Sequence, residues 1–346
     1  MHCAARGSAR SGGCSVSGII HARGLRRTFR TFQRRPGLLG AVSDLFRIGG
    51  EERVAVEGLD LDVYPGERIG LIGPNGAGKS TTIKMMCGIL SPTAGTLTVA
   101  GRQPSRQRQE HVRGIGVVFG QRTQLWWDLA VIEALDLLAA VFRIPADVYR
   151  ARLEQFDAVL GIGALLGKPV RELSLGQRMR CDIAAALLHA PPILFLDEPT
   201  IGLDVAVKLR IREFIRAVND EQGTTIILTT HDLSDVEAVC DRVLLIDHGR
   251  LLFDGSIPDL KAQLGGAHRL VVELKSPPSE AELAALSALP ATVTAAHTTL
   301  TVTFSLTQTT AAALIQTILT VTEVIDLSIH EPGIDAGIAR FYEALR

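Results

Sequence analysis

The sequence has 346 residues, of which 47% are hydrophobic and 21% charged, and its formal net charge is −1. This length and hydrophobic content allow one large folded domain plus a smaller one, and the near-zero net charge excludes the broad basic surface of a general nucleic-acid-binding protein. Five cysteines without a CxxC pair exclude a cysteine metal site, and the lack of a run of about 18 apolar residues predicts that no helix spans a membrane.

The first part of the chain separates into a leader, a strand and an insertion. Residues 1–17 are rich in Gly, Ser and Arg and lack an apolar core, which predicts a disordered leader or an overextended start of the reading frame rather than a signal peptide. Ordered structure is expected to begin near Ile19 and Ile20, and a Gly- and Arg-rich insertion follows over residues 31–52. Six arginines fit either a solvated surface or a patch that binds a lipid or a partner: Arg23, Arg26, Arg27, Arg30, Arg34 and Arg35.

The next segment has the order strand, glycine loop, helix. Residues 54–63 and the short apolar run of residues 68–73 predict two strands, and residues 81–90 have the apolar spacing of a helix. The sequence GPNGAGKST fits the phosphate-loop pattern G-x-x-x-x-G-K-[ST], in which backbone N–H groups surround phosphate oxygens. Lys79 reaches the β- and γ-phosphates, and Ser80 can ligate Mg²⁺. The residues of this candidate ATP site are Gly73, Pro74, Asn75, Gly76, Ala77, Gly78, Lys79, Ser80 and Thr81.

The middle of the chain alternates between helices and buried strands. Helices are predicted over residues 128–142, 148–160, 175–189 and 205–219. The apolar strand ILFLD comes before the last of these helices and the apolar strand TTIILTTH after it, which predicts a parallel α/β sheet with its chemistry at the carboxyl ends of the strands. Asp197 ends ILFLD, where its carboxylate can hold the metal. Glu198 projects toward the γ-phosphate and is the candidate general base.

After Gly265 and Gly266 the pattern changes to alternating strands. The run RLVVEL predicts a half-buried strand, and Ser279 with Glu282 predicts a capping box at a helix start. A β-α-β-β-α-β order is then readable, which predicts a small α+β domain of the ferredoxin-like type. Packing or dimer stabilisation is the simpler role for this domain, and regulation is the alternative.

Three motifs in the order GPNGAGKST, LSLGQ and ILFLDEP, together with Gln121, Asp204 and His231, resemble the nucleotide-binding domain of ATP-binding cassette (ABC) proteins. The resemblance covers roughly residues 19–259. It implies an α/β P-loop NTPase of ABC type, with a parallel sheet core, an antiparallel β subdomain and a helical subdomain over about residues 122–175. We therefore expect an ATP-binding domain over residues 18–264 and an accessory domain over residues 267–346.

The resemblance also implies how the site works. In this family two subunits close head-to-tail over two ATP molecules, so a homodimer is implied. Ser174, Gly176 and Gln177 would contact the γ-phosphate of the ATP held by the partner subunit, because N–H groups at a helix N-terminus favour an anion. Asp204 would signal across the dimer, and His231 would contact the γ-phosphate and steady the attacking water. The implied cofactors are ATP and Mg²⁺, the implied metal ligands are Ser80, Gln121 and Asp197, and the implied catalytic residues are Glu198, His231, Lys79 and Gln121.

Three positions leave alternatives open. Leu175 stands where the family usually has glycine, and its side chain either points away into the helical layer, which we favour, or weakens closure of the dimer. The family stacks an aromatic residue on adenine, a role that Phe29 or Phe32 would take. Trp126 and Trp127 lie where the family docks its membrane partner, and we expect at least one of them to be a core residue.

The insertion RTFQRRPGLLGAVSDLF and the segments GQRTQLWWDL and LSLGQRMR resemble ATP-binding subunits of bacterial ABC-2 type exporters of drugs, viologens and natural products. This implies separate six-helix permease subunits as partners, no nucleic-acid partner, and a place on the cytoplasmic face of the inner membrane. A polysaccharide or lipid exporter is the nearest alternative, followed by an importer. A soluble cassette protein of translation or DNA repair fits less well, because the chain has one cassette and no long coiled coil. The presence of Glu198 and His231 argues against a regulatory module without turnover.

Overall fold

The computed structural model describes residues 18–31, 51–120, 122–264, 268–305 and 308–330. The predicted leader and most of the predicted insertion lie outside these residues. The chain divides into two compact units, one that ends at Asp254 and one that begins at Gly255. The domain boundary expected from the sequence, between residues 264 and 267, stays a prediction.

The first unit contains, apart from the last two residues of β9, a six-stranded sheet with the order β5-β6-β7-β3-β8-β9. Its strands are β3 (Arg68–Ile72), β5 (Ile115–Phe119), β6 (Ile193–Asp197), β7 (Thr225–Thr229), β8 (Arg242–Asp247) and β9 (Arg250–Ser256). The pairs β5-β6, β6-β7, β7-β3 and β3-β8 are parallel. The predicted parallel α/β core is confirmed, and the carboxyl ends of β3, β6 and β7 meet at one edge of the sheet.

A second, three-stranded antiparallel sheet has the order β2-β1-β4. Its strands are β1 (Ile20–Thr31), β2 (Glu51–Val63) and β4 (Ala94–Val99). In the register of β1 with β2, Thr31 lies opposite Glu51. Ile20, Val63 and Val99 of this sheet belong to the same buried apolar cluster as Ile69 of β3. The two sheets therefore share one core.

Seven helices are described in the first unit. They are α1 (Lys79–Met86), α2 (Arg108–Val112), α3 (Val131–Phe142), α4 (Ala146–Leu160), α5 (Leu175–Leu187), α6 (Val205–Gln222) and α7 (Leu233–Val239). The predicted helices are confirmed with shifted ends. The backbone N–H of Ala130 donates to the Glu133 carboxylate, which sets the start of α3 at Val131 rather than at residue 128. No helix within the described residues is long and apolar enough to cross a membrane.

The second unit has the predicted β-α-β-β-α-β order. After α8 (Ile257–Leu264) its elements are β10 (His268–Leu274), α9 (Glu280–Leu286), β11 (Thr292–Ala296), β12 (Thr299–Phe304), α10 (Ala311–Val321) and β13 (Val324–His330). The antiparallel sheet order is β11-β12-β10-β13. The alternation in β10 buries Leu270, Val272 and Leu274. The predicted capping box is also present, with the Ser279 N–H 2.7 Å from a Glu282 oxygen.

Candidate functional site

The phosphate loop connects β3 to α1 and depends on its glycines. Gly73 has φ +154° and Gly78 has φ +108°, which are conformations that side chains disfavour. A Cβ on Gly73 would overlap the carbonyl oxygen of Ile246, and one on Gly78 would overlap the carbonyl oxygen of Ala55. The sequence motif thus forms a tight turn at the centre of the sheet, immediately before the first turn of a helix.

Lys79 is buried beneath this loop. Its ammonium donates to the carbonyl oxygens of Gly73 at 2.7 Å and Pro74 at 3.1 Å. Burial lowers the pKa of Lys79, while the negative charges of Glu198 and Asp197 act in the opposite direction. A lysine held in this way carries a charge that can exchange its carbonyl partners for phosphate oxygens.

Oxygen ligands suited to magnesium lie beside the loop. The Ser80 hydroxyl donates to Asp197 Oδ1 at 3.0 Å, and the Thr229 hydroxyl donates to the same oxygen at 2.6 Å. A hydroxyl next to a carboxylate oxygen fits a hard cation, whose remaining ligands come from phosphates and water. The described residues contain no cluster of three or more His, Cys, Asp or Glu that could hold a metal without such help. The Ser80 and Asp197 predictions are compatible with this geometry.

Glu198 and His231 face each other across the same edge. Glu198 Oε1 is 3.7 Å from His231 Nδ1, and their side chains are 22% and 55% exposed. Glu198 has φ +55°, a left-handed conformation that its N–H supports by donating to the carbonyl oxygen of Thr229 at 3.0 Å. A carboxylate and an imidazole at this separation can hold a water molecule and accept its proton.

Ser80, Asp197, Glu198 and His231 open into one cleft of about 810 Å³. Its described lining is Gly73, Pro74, Asn75, Ser80, Lys84, Ile89, Phe119, Gly120, Arg122, Asp197, Glu198, Ile201 and His231. Sequence reasoning missed the two cations Lys84 and Arg122. Lys84 lies four residues after Ser80 in α1, so both side chains lie on one face of the helix. This spacing could have identified Lys84 from the sequence. The cleft has the size and charge for a phosphorylated ligand.

The LSLGQ residues lie apart from this cleft. Ser174 is the N-cap of α5, and its hydroxyl accepts a hydrogen bond from the Gln177 N–H at 3.3 Å, while the Ser174 N–H donates to Gln177 Oε1 at 3.0 Å. Ser174, Gly176 and Gln177 are not among the described residues that line the cleft of their own chain. Leu175 is half-buried, and a Cβ on Gly202 would be 3.1 Å from its Cδ2 atom. The Leu175 side chain therefore contacts the turn before Asp204, which the sequence did not suggest.

The remaining predicted site residues outside the phosphate loop are Asp204, Gln121, Phe32 and Phe29. Asp204 caps α6, with its Oδ1 atom 2.9 Å from the Val207 N–H. Gln121 and Phe32 lie outside the described residues. Phe29 is in β1, with the Arg27 guanidinium 4.7 Å from its ring centroid, and it is not among the described lining of the cleft. The adenine-stacking role of Phe29 therefore stays a prediction.

The expectation that Trp126 or Trp127 is a core residue is wrong. Trp126 is 46% exposed and Trp127 is 50% exposed. The Arg178 guanidinium lies 5.4 Å from the Trp127 ring centroid. Both indoles belong to the segment between β5 and α3, and about half of each residue is exposed. They form an exposed aromatic pair.

A buried carboxylate connects this segment to α5. Asp182 Oδ1 accepts hydrogen bonds from the Thr123 hydroxyl at 2.7 Å and from the Gln124 N–H at 3.0 Å. Burial raises the pKa of Asp182 to about 6, although these hydrogen bonds lower it. Sequence reasoning missed this group because its partners are 58 and 59 residues away.

Comparisons with known proteins agree with this geometry. The family model "ABC transporter" matches residues 56–201. The chain is 34% identical to the ABC transporter ATP-binding protein NatA of Bacillus subtilis over 60% of this chain and 83% of NatA. It is 38% identical to the daunorubicin/doxorubicin resistance ATP-binding protein DrrA of Streptomyces peucetius, over 61% of this chain and 63% of DrrA. A solved structure of cbiO1 from Clostridium perfringens, described as part of an ABC transporter complex, superposes with a TM-score of 0.58 at 28% identity, covering 71% of this chain and 92% of cbiO1.

Proposed function

This chain belongs to the ABC transporter ATP-binding proteins, a family of ATPases, and we propose that it is the ATP-hydrolysing subunit of a bacterial ABC-2 type exporter. The observation that carries the hydrolytic part is the convergence of the phosphate loop, the Ser80–Asp197 pair and the Glu198–His231 pair in one cleft, with Lys79 bonded to the loop carbonyls of Gly73 and Pro74. Each of these groups has a distinct task in moving a phosphoryl group from ATP to water.

The chemistry follows from the positions of the side chains. Lys79 and the N–H groups of the phosphate loop bind the β- and γ-phosphates and neutralise their charge. Glu198 takes a proton from water as the water oxygen bonds to the γ-phosphorus and the bond to the bridging oxygen of ADP breaks. His231 contacts the γ-phosphate and steadies that water. When bound, Mg²⁺ held by Ser80 and Asp197 would add positive charge against the phosphates.

The site is completed by a second copy of the chain. Ser174 stands at the N-terminus of α5, exposed and outside the cleft of its own chain. Helix N-termini bind anions through unpaired N–H groups, so this end of α5 can meet the γ-phosphate bound to the partner subunit. We therefore assign a head-to-tail homodimer, in which closing over two ATP molecules and reopening after hydrolysis supply the work.

The exporter assignment is supported by the similarity to DrrA, whose name describes drug resistance, and by the exposed Trp126–Trp127 pair. Large exposed aromatic side chains mark interaction surfaces, and an aromatic pair suits a helix of a membrane subunit. In this proposal the partners are separate ABC-2 type permease subunits, and the chain is held by them at the cytoplasmic face of the inner membrane. Its substrate would be a drug-like, lipid or natural-product molecule.

A pull-down from the membranes of the native host tests the exporter assignment. The Glu198→Gln protein, trapped with Mg·ATP, is used as bait on detergent-solubilised membranes, and co-purifying chains are identified by mass spectrometry. Lys79→Ala is the control bait, because it loses the phosphate-binding charge. We expect six-helix membrane proteins on the trapped bait. Ribosomal or DNA-repair proteins in their place would refute the transport function and leave only the ATPase assignment.

A further inference from the structure

Asp235 is a buried carboxylate that no step of the proposed hydrolysis uses. It lies in the first turn of α7 and is 1% exposed. Its oxygens accept hydrogen bonds from the Thr200 hydroxyl, from the Thr230 hydroxyl at 3.1 Å and from Arg212 Nε at 2.7 Å. Each of these partners comes from a different part of the chain. A buried carboxylate with several donors fixes the positions of these donors, because the loss of one of them would leave a buried charge incompletely hydrogen-bonded.

Two of these partners belong to the catalytic turns. Thr200 comes two residues after Glu198, and Thr230 comes immediately before His231. Both threonines are buried, at 4% and 2% exposure. Through these two hydrogen bonds, the Asp235 carboxylate links the turn that carries Glu198 to the turn that carries His231. The Glu198 carboxylate and the His231 imidazole that these turns carry are 3.7 Å apart.

The third partner extends the connection to α6. Arg212 donates to Asp235 and also to the Ser234 hydroxyl at 2.7 Å. One turn earlier in α6, the Lys208 ammonium is 2.8 Å from Asp232, which directly follows His231. Residues four apart occupy one face of a helix, so two ion pairs hold this face of α6 against the His231 turn. The helix that begins after Asp204 is thus connected to the His231 turn by these contacts.

We propose that Asp235 is a positioning residue for ATP hydrolysis, which fixes Glu198 and His231 relative to each other through Thr200 and Thr230 and connects both to α6 through Arg212. The proposal rests on the hydrolytic roles of Glu198 and His231 given above. Asp235 itself is not among the described residues that line the cleft. Its removal should therefore slow the chemical step and leave ATP binding in place.

The test compares Asp235→Asn with the unmodified full-length chain. We expect kcat to fall about 10- to 100-fold, because a displacement of about 1 Å at reacting groups has that effect, while the KM for ATP changes less than about threefold. Asp220→Asn is the control: it removes an exposed partner of Arg68 at the far end of β3 and should leave both constants unchanged. Thr230→Val, which removes one hydroxyl and keeps the shape, is the second variant and should lower kcat in the same direction.

The double variant with Glu198→Gln separates positioning from a general structural effect. If Asp235 acts through Glu198, the double variant is about as slow as Glu198→Gln alone, whereas independent effects multiply. Multiplying losses, an unchanged kcat in both Asp235→Asn and Thr230→Val, or a loss seen mainly in KM would overturn the proposal. Normal turnover of Glu198→Gln alone would instead contradict the proposed general base.

Discussion

Asp182 makes the stability of the nucleotide-binding unit depend on pH in a way that one substitution should remove. Its carboxyl is buried against the segment that carries Trp126 and Trp127, and burial raises its pKa from 3.8 to about 6. The folded protein therefore holds this proton more tightly than the unfolded chain. As the pH rises between the two pKa values, the unfolded chain loses the proton first, and folding becomes less favourable.

The magnitude follows from the size of the shift. A rise of about two pKa units corresponds to about 3 kcal/mol of unfolding free energy, at about 1.4 kcal/mol per unit. This whole amount is lost once the pH is well above the pKa of Asp182 in the folded protein. Between about pH 4.5 and pH 7.5 the free energy of unfolding should fall by about 2 kcal/mol, because the remainder of the stabilisation has already been lost at pH 4.5. Asp182→Asn keeps a similar shape and an acceptor for Thr123 but has no proton to lose.

Urea unfolding of both proteins at the two pH values measures this difference. The two tryptophans of the chain are Trp126 and Trp127, so tryptophan fluorescence reports on the unit that contains Asp182. We expect the free energy of unfolding of the unmodified chain to fall by about 2 kcal/mol more than that of Asp182→Asn. An equal pH dependence in the two proteins would refute the reasoning that Asp182 is buried with a raised pKa.

Two further predictions follow from local geometry. Gly120→Ala would place a Cβ against the carbonyl oxygen of Glu198, so ATP turnover should fall at least about tenfold, whereas Gly167→Ala, which meets no atom within 4 Å, should leave turnover unchanged. If Gly120→Ala hydrolysed ATP as fast as Gly167→Ala, the position of the Glu198 turn would not matter for turnover and the prediction would be wrong. Trp127→Ala in the Glu198→Gln bait should lower recovery of membrane subunits severalfold, while Val141→Ala, exposed in α3, should not. Unchanged recovery with Trp127→Ala would remove the aromatic pair from the docking surface.

The phosphate loop and the parallel core were predictable because their signals are local. The glycines around Lys79 must adopt conformations that side chains disfavour, and an apolar strand that ends in Asp197 can be recognised without knowing its neighbours. The β-α-β-β-α-β order of the second unit was readable for the same reason. In each case the relevant residues are close together in the sequence.

The burial of single side chains was harder to predict. The expectation that one of Trp126 and Trp127 is buried failed because many large apolar side chains stay exposed, and no local pattern marks which ones do. Asp182 and Asp235 were missed because their partners, Thr123 and Thr200, lie 59 and 35 residues away along the chain. Such long-range pairing becomes visible only when the fold brings the elements together.

The most direct test of the composite ATP site is sedimentation of Glu198→Gln with Mg·ATP, together with its rate of phosphate release. A subunit that binds ATP across two copies and hydrolyses it with Glu198 should form a dimer with ATP, stay a monomer with ADP, and release phosphate about 10²- to 10⁴-fold more slowly than the unmodified chain. A Glu198→Gln protein that stays monomeric with saturating ATP, or one that hydrolyses it at the normal rate, would contradict the account.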